Sequence, residues 1–236
     1  MKKRNLVLLF FIGIGIGAVS AQVPELTREE IKDGWVLLFD GQTTRGWKSA
    51  NGNPFPETGW KIENGVIYCD PSEGRGGDIV TESEFSDFEL SLEFKLTERA
   101  NSGIKYFVFK NTSLGLEFQI LDDKRHPDAL QGINGNRVQG SLYDIMPPAK
   151  DKKDMPVGEW NHAKIVSNGK QVEHWLNGKM ILSFERGGEE FLKHIAESKF
   201  KDREGFAQID KSPILLQDHN DVVYFRNIKI RELNTE

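Results

Sequence analysis

Cysteine is nearly missing from this chain of 236 residues: it has one, Cys69, so no intrachain disulfide framework can staple it. Histidine is scarce, five in all, and none falls in an H-E-x-x-H or paired Cys/His spacing. That excludes the usual zinc-protease and structural-zinc patterns. A basic excess is lacking too. The formal charge is −5 and the pI about 5.7, which leaves no electrostatic footprint for a nucleic-acid partner. No G-x-S-x-G elbow occurs, and the glycines of Gly74–Gly77 lack the strand-to-helix setting of a phosphate loop. No apolar run reaches the roughly 20 residues that would span a bilayer.

The longest apolar run, Leu6–Val19, follows Lys2, Lys3 and Arg4 and precedes Val19-Ser20-Ala21. Basic, apolar and small-residue regions in that order read as an export signal cut between Ala21 and Gln22. Residues 1–21 are therefore expected to be a leader. Residues 22–236 are expected to be one domain, in the periplasm or outside, without a stable membrane anchor. No cysteine stands at the cut to carry a lipid. Cys69, in an apolar strand-like run, is expected to pack as a small hydrophobe.

What the sequence has in quantity is strand and turn. Hydrophobic residues are 38%, charged residues 28%, aromatics 10%, and there are 23 glycines, ordinary globular usage. Short alternating runs recur at Trp35–Phe39, Gly59–Glu63, Val66–Cys69, Phe85–Leu96, Gly103–Phe109, Gly115–Leu121, Trp160–Val166, Gln171–Leu176, Lys179–Phe184, Ile214–Gln217 and Val222–Arg231. Asn64-Gly65, Asn168-Gly169 and Asn177-Gly178 supply hairpin turns between them. Only Gly188–Phe200 carries helical spacing, with Phe191, Leu192, Ile195 and Ala196 on one stripe. The pattern predicts an all-β, two-sheet jelly-roll sandwich with one short helix.

Strand parity then sorts the side chains. In Gly115–Leu121 it turns Leu116, Phe118 and Ile120 inward and Glu117 and Gln119 outward. In Gly103–Phe109 it sets Ile104, Tyr106 and Val108 on one face and Lys105, Phe107 and Phe109 on the other. Lys105, between aromatic neighbours, is a candidate for an ammonium held away from water. Glu117, Gln119 and Asp122 resemble the paired-carboxylate strand of jelly-roll glucanases, but the middle position is an amide and Asp122 has the wrong parity unless a bulge intervenes. A retaining glycosidase needs two carboxyl groups roughly 5–5.5 Å apart, so this pattern suits it poorly. Three oxygen-bearing side chains better suit sugar hydroxyls or a hard divalent cation of the calcium or magnesium type. No organic cofactor is expected.

Seven motifs arrive in one order: Leu38–Trp47, Asn101–Tyr106, Glu117–Asp123, Gly140–Asp144, Trp160–His162, His174–Gly178, and Leu216–His219 with Phe225–Ile228. Over about residues 33–233 the chain resembles the 3-keto-disaccharide hydrolase family. That resemblance implies a fold similar to concanavalin-A-like lectins and glucanases, and cleavage of 3-keto-glycosides or 3-keto-disaccharides. A ketone at C3 acidifies the C2 proton. Its loss allows the C1 oxygen to leave, and water then adds to the enone. The residues implied are Lys105, Glu117, His174, His219 and Tyr143 for chemistry, and Gln119, Asp122, Gln217 and Arg226 for binding. Lys105 or a cation would polarise the enolate, His174 or His219 would carry protons, and Tyr143 would serve as acid. The partner expected is a small carbohydrate. The rival reading is a non-catalytic carbohydrate-binding module using Trp47, Trp60, Trp160 and Trp175 as platforms.

Overall fold

A computed structural model describes residues 23–233; the expected leader lies outside the described residues. Two antiparallel sheets form a sandwich. The larger holds β1 (Val36–Leu37), β3 (Trp60–Glu63), β4 (Val66–Cys69), β6 (Phe88–Leu96), β9 (Trp160–Asn168), β10 (Gln171–Leu176), β11 (Lys179–Glu185) and β13 (Val223–Glu232). Its order is β11-β10-β9-β6-β13-β4-β3, with β1 also on β13. The smaller sheet has β2 (Trp47–Ser49), β5 (Ile79–Thr81), β7 (Asn101–Tyr106), β8 (Leu116–Leu121) and β12 (Leu215–Leu216), in the order β2-β5-β12-β7-β8. The sandwich expected from alternation is therefore what the chain forms. Strands β2 and β5, three residues each, are too short to alternate visibly and were not expected.

The expected hairpin turns have a physical basis. Asn64 and Gly65 both take positive φ (52° and 81°), as do Asn177 and Gly178 (50° and 80°). That is the twist a two-residue turn needs to continue into right-twisted strands. Asn64-Gly65 joins β3 to β4 and Asn177-Gly178 joins β10 to β11. Strands β9 and β10 instead meet through Gly169-Lys170, one residue later than the expected Asn168-Gly169, with Gly169 at positive φ (59°) and Asn168 still paired in the ladder.

Between the sheets lies one apolar cluster. Phe88, Leu90, Leu92 and Phe94 of β6 meet Ile104, Tyr106, Leu116, Phe118 and Ile120 of β7 and β8. Fully burying each such side chain contributes about 1.5–3 kcal/mol, far more than the local strand preferences that start the fold. Cys69 is free and buried in this cluster, and burial pushes its thiol pKa up, which makes it inert packing rather than a nucleophile.

One face assignment is overturned. Phe107 has φ +51°, so the strand ends at Tyr106 and the alternation resets. Its ring joins the core beside Phe88 and Tyr106, at 6.5 and 5.6 Å between centroids, instead of sharing a face with Lys105. Val108 in turn moves outside, packing on Ala50, Val80 and Leu215. A left-handed conformation costs a bulky residue about 1–2 kcal/mol, and burying a phenyl ring returns more than that. Burial wins over backbone preference here.

Helix α2 spans Glu189–Glu197, three residues short of the expected end. Phe191 stacks on Phe184 at 5.3 Å, but Leu192 is exposed, so the inward stripe is narrower than expected. A single-turn helix, α1 (Arg28–Lys32), precedes the sandwich, capped reciprocally by Thr27 and Glu30. The Met146–Pro156 stretch is a fastened surface connection: Lys152 bridges Asp123 and Asp154. Among the described residues no helix is long and apolar enough to cross a membrane.

Candidate active site

Glu117 and Lys105 face each other across β8 and β7, where Lys105 and Glu117 are register partners. The ammonium lies 3.5 Å from the Glu117 carboxylate and donates to the Ser113 carbonyl at 3.1 Å. Both side chains are buried. The pair forms the floor of a cavity of about 340 Å³ lined also by Asn101, Gln119, Tyr143, Lys199, Gln217 and His219. Gly103 makes the approach possible. A β-carbon there would lie 2.3 Å from a Glu117 carboxylate oxygen, so only glycine leaves room for the carboxylate over β7.

The far wall is built by backbone bonding. Gly140 N–H donates to the Gln119 carbonyl at 2.8 Å, Gln119 N–H to Ser141 at 3.1 Å, and Tyr143 N–H to Glu117 at 3.0 Å. The segment Gly140–Tyr143 thus lies along β8 and delivers Tyr143 to the cavity. Asp144, in a left-handed conformation (φ 61°), accepts from Arg137 at 2.5 Å and from the Lys199 backbone N–H at 2.7 Å. Through Asp144 the loop after α2 is tied to the same wall.

The electrostatics are unusual for a surface pocket. Burial raises the Glu117 pKa, and the Lys105 and Lys199 ammonium groups oppose that rise. Burial and the nearby Asp128 carboxylate push the Tyr143 phenol up. Three side-chain oxygens of the lining, Asn101 Oδ1, Gln119 Oε1 and Gln217 Oε1, are buried without a hydrogen-bond partner. Buried polar atoms left bare cost free energy, and a polyhydroxylated ligand satisfies several such acceptors at once.

The sequence-predicted residues divide cleanly. Lys105, Glu117, Gln119, Tyr143, Gln217 and His219 come together in this cavity. His174, Asp122 and Arg226 do not. His174 is fully buried between the sheets, its Nδ1–H donating to the Gly140 carbonyl at 3.1 Å and its Nε2 accepting from Tyr106 Oη–H at 2.7 Å. Burial lowers its pKa to about 4, so it is a neutral core group that steadies the Gly140 segment rather than a proton carrier. Asp122 turns into its own loop, accepting from the Arg99 and Lys124 N–H groups and pairing with Arg125. Strand parity, with no bulge to reset it, carries it off the Glu117 face. Arg226 lies on the other sheet, paired with Glu93 at 2.6 Å and stacked on Trp160 at 4.0 Å.

The expected oxygen set for a cation is therefore not assembled. Glu117 and Gln119 remain together, but two lysines line the same cavity, and a divalent cation would meet their repulsion at short range. The donor set suits neutral hydroxyls and a developing negative charge. Among the described residues no three His, Cys, Asp or Glu side chains converge as metal ligands. The tryptophan platforms do not form either: Trp47 and Trp60 are buried with their indole N–H groups bonded to Leu38 and Gly77 carbonyls. Trp160 and Trp175 are stacked under Arg226 and Lys164.

Sequence reasoning missed Lys199 and the wall role of Asn101. Asn101 opens the Asn101–Tyr106 motif, and that is its signal in the sequence. Lys199 follows a short helix and carries no local signal; only tertiary packing brings it over the Tyr143 ring at 4.1 Å.

The chain is similar to known proteins over most of its length. The family model described as a 3-keto-alpha-glucoside-1,2-lyase-like domain matches residues 34–231. A 3-keto-disaccharide hydrolase of Bacteroides thetaiotaomicron is 32% identical, over 91% of this chain and 84% of that protein. Among solved structures, a candidate glycosyl hydrolase from Parabacteroides distasonis has 31% identity and a TM-score of 0.81, covering 90% of this chain and 100% of that one. A second from the same organism has 26% identity and a TM-score of 0.67, covering 84% and 99%.

Proposed function

Because the chain belongs to the 3-keto-alpha-glucoside-1,2-lyase-like family, we propose that its polar cavity cleaves glycosides already oxidised at C3. The observation that carries this reading is the buried Glu117 carboxylate beside a lysine, on the floor of a pocket rich in bare amide oxygens. A second carboxylate does not share that floor, so the retaining-glycosidase arrangement is not available to it.

The chemistry asked of the pocket is modest once the ketone is present. Glu117, its basicity raised by burial, takes the C2 proton. The electron pair moves toward the C3 oxygen, then returns to form the C1=C2 bond as the C1–oxygen bond breaks. A proton reaches the departing oxygen from Tyr143 or His219, both at the cavity wall. Water adds to C1 of the enone and a proton returns to C2, which gives the free 3-keto sugar and the released alcohol. Asn101, Gln119 and Gln217 accept hydrogen bonds from sugar hydroxyls through their unpartnered oxygens.

The test is cleavage of a 3-keto-glucoside in D₂O. Product carrying one deuterium at C2, acquired faster than by spontaneous exchange, is the expected result. Product released without C2 deuterium would mean direct displacement at C1 and would sink the elimination.

A further inference from the structure

The cavity holds two lysines and one carboxylate. Lys105 is committed: Glu117 neutralises it at 3.5 Å and the Ser113 carbonyl accepts a hydrogen bond from its ammonium. Lys199 is not. Among the described residues its ammonium meets no carboxylate at ion-pair distance; it rests over the rings of Tyr143 at 4.1 Å and Phe200 at 5.1 Å. Its main chain is pinned, with its N–H on Asp144 at 2.7 Å and the preceding Ser198 hydroxyl on the Ile195 carbonyl at 2.8 Å. A cation placed with this much care, lining a pocket and left without an anion, is poised for an anion that arrives later.

We propose that Lys199 is a catalytic residue whose ammonium stands against the C3 oxygen of a bound 3-keto sugar and holds the charge collected there when the C2 proton leaves. The inference rests on the elimination reading of the same site. No bond to Lys199 forms. The C2–H electrons delocalise onto the C3 oxygen, the ammonium stabilises that oxygen while it is anionic, and the charge leaves with the C1 oxygen. Fixed donors aimed at developing charge in a water-poor site are commonly the largest single contributor to catalysis. Aromatic walls, by excluding water, strengthen the attraction further. The loss of solvent around the ammonium lowers its pKa, and the Glu117 and Asp144 carboxylates oppose that fall.

The experiment compares wild type, Lys199→Met and Lys199→Arg on the 3-keto derivative of a nitrophenyl glucoside, with thermal melting as the check on folding. Lys199→Met is expected to lose about 10²-fold in kcat with KM within about threefold, the signature of an interaction made in the transition state. Lys199→Arg keeps the charge and is expected to recover at least about tenfold of that loss. A Lys199→Met enzyme within about threefold of wild type in kcat overturns the role. So does a loss confined to KM, which would make Lys199 a binding group only. Borohydride trapping of the sugar on Lys199, with Lys199→Arg dead, also overturns it in favour of an imine. Should Lys199→Met melt early, the Arg variant decides: activity within about tenfold of wild type supports the role and a deeper loss overturns it. If wild type itself releases nothing, the elimination reading falls and the role with it, whereas normal release by Lys199→Met removes the role alone.

Discussion

Glu117 is pulled two ways. Burial raises its pKa, and Lys105 at 3.5 Å lowers it. As the base, Glu117 must be ionised, so kcat/KM falls as pH drops through its raised value. The acid limb of the pH profile is therefore expected above the ordinary carboxylate range. Lys105→Met removes the opposing influence, so that limb should move to still higher pH; a limb that stays put would separate the two residues. Glu117, Gln119, Lys105 and Tyr143 were legible in the sequence because strand parity and ordered motifs place them. Lys199 was not, since its position depends on Asp144 and a loop far from it in sequence.

Two neighbouring strands make the floor, and their fit is tight. Gly103 of β7 lies opposite Gln119 of β8, with the Glu117 carboxylate folded over it. A methyl group there would approach three Glu117 atoms at 2.3–2.9 Å. Gly103→Ala is thus expected to push the carboxylate aside and cost about 10²-fold in kcat, while urea unfolding shifts by less than about 2 kcal/mol. Equal losses in activity and stability would mean the strands had separated instead. Periodicity found most strands because a half-buried sheet must alternate. It failed at Phe107, where a left-handed residue resets the count, and at Trp47–Ser49 and Ile79–Thr81, where three residues show no period.

The two sheets communicate through His174. It sits on β10 of the larger sheet, accepts from Tyr106 of the smaller one, and donates to Gly140 of the segment carrying Tyr143. Its pKa falls from 6.5 to about 4 in the folded state. A depressed pKa favours the neutral ring in the fold, so its contribution is complete above pH 6.5 and is lost as pH falls toward 4. The full difference is about 3 kcal/mol at that burial. Urea midpoints should fall between pH 7 and pH 4, and His174→Gln, less stable at pH 7, should show a flatter dependence; parallel curves would exclude His174 as the source. No local signal announces this role: a histidine followed by tryptophan on a strand reads equally as core or site, and only packing decides. Arg226 shows the same blindness, since a motif fixes order along the chain but not which sheet faces the cavity.

Strand β8 is the last of its sheet, and an unpaired outer strand of alternating apolar residues is a template for other chains. The stretch from Gly140 to Tyr143 occupies that row of backbone groups. The piece that brings the phenol to the cavity therefore also guards against self-association: loosening it would expose a ready surface for edge-to-edge aggregation before the sandwich itself came apart.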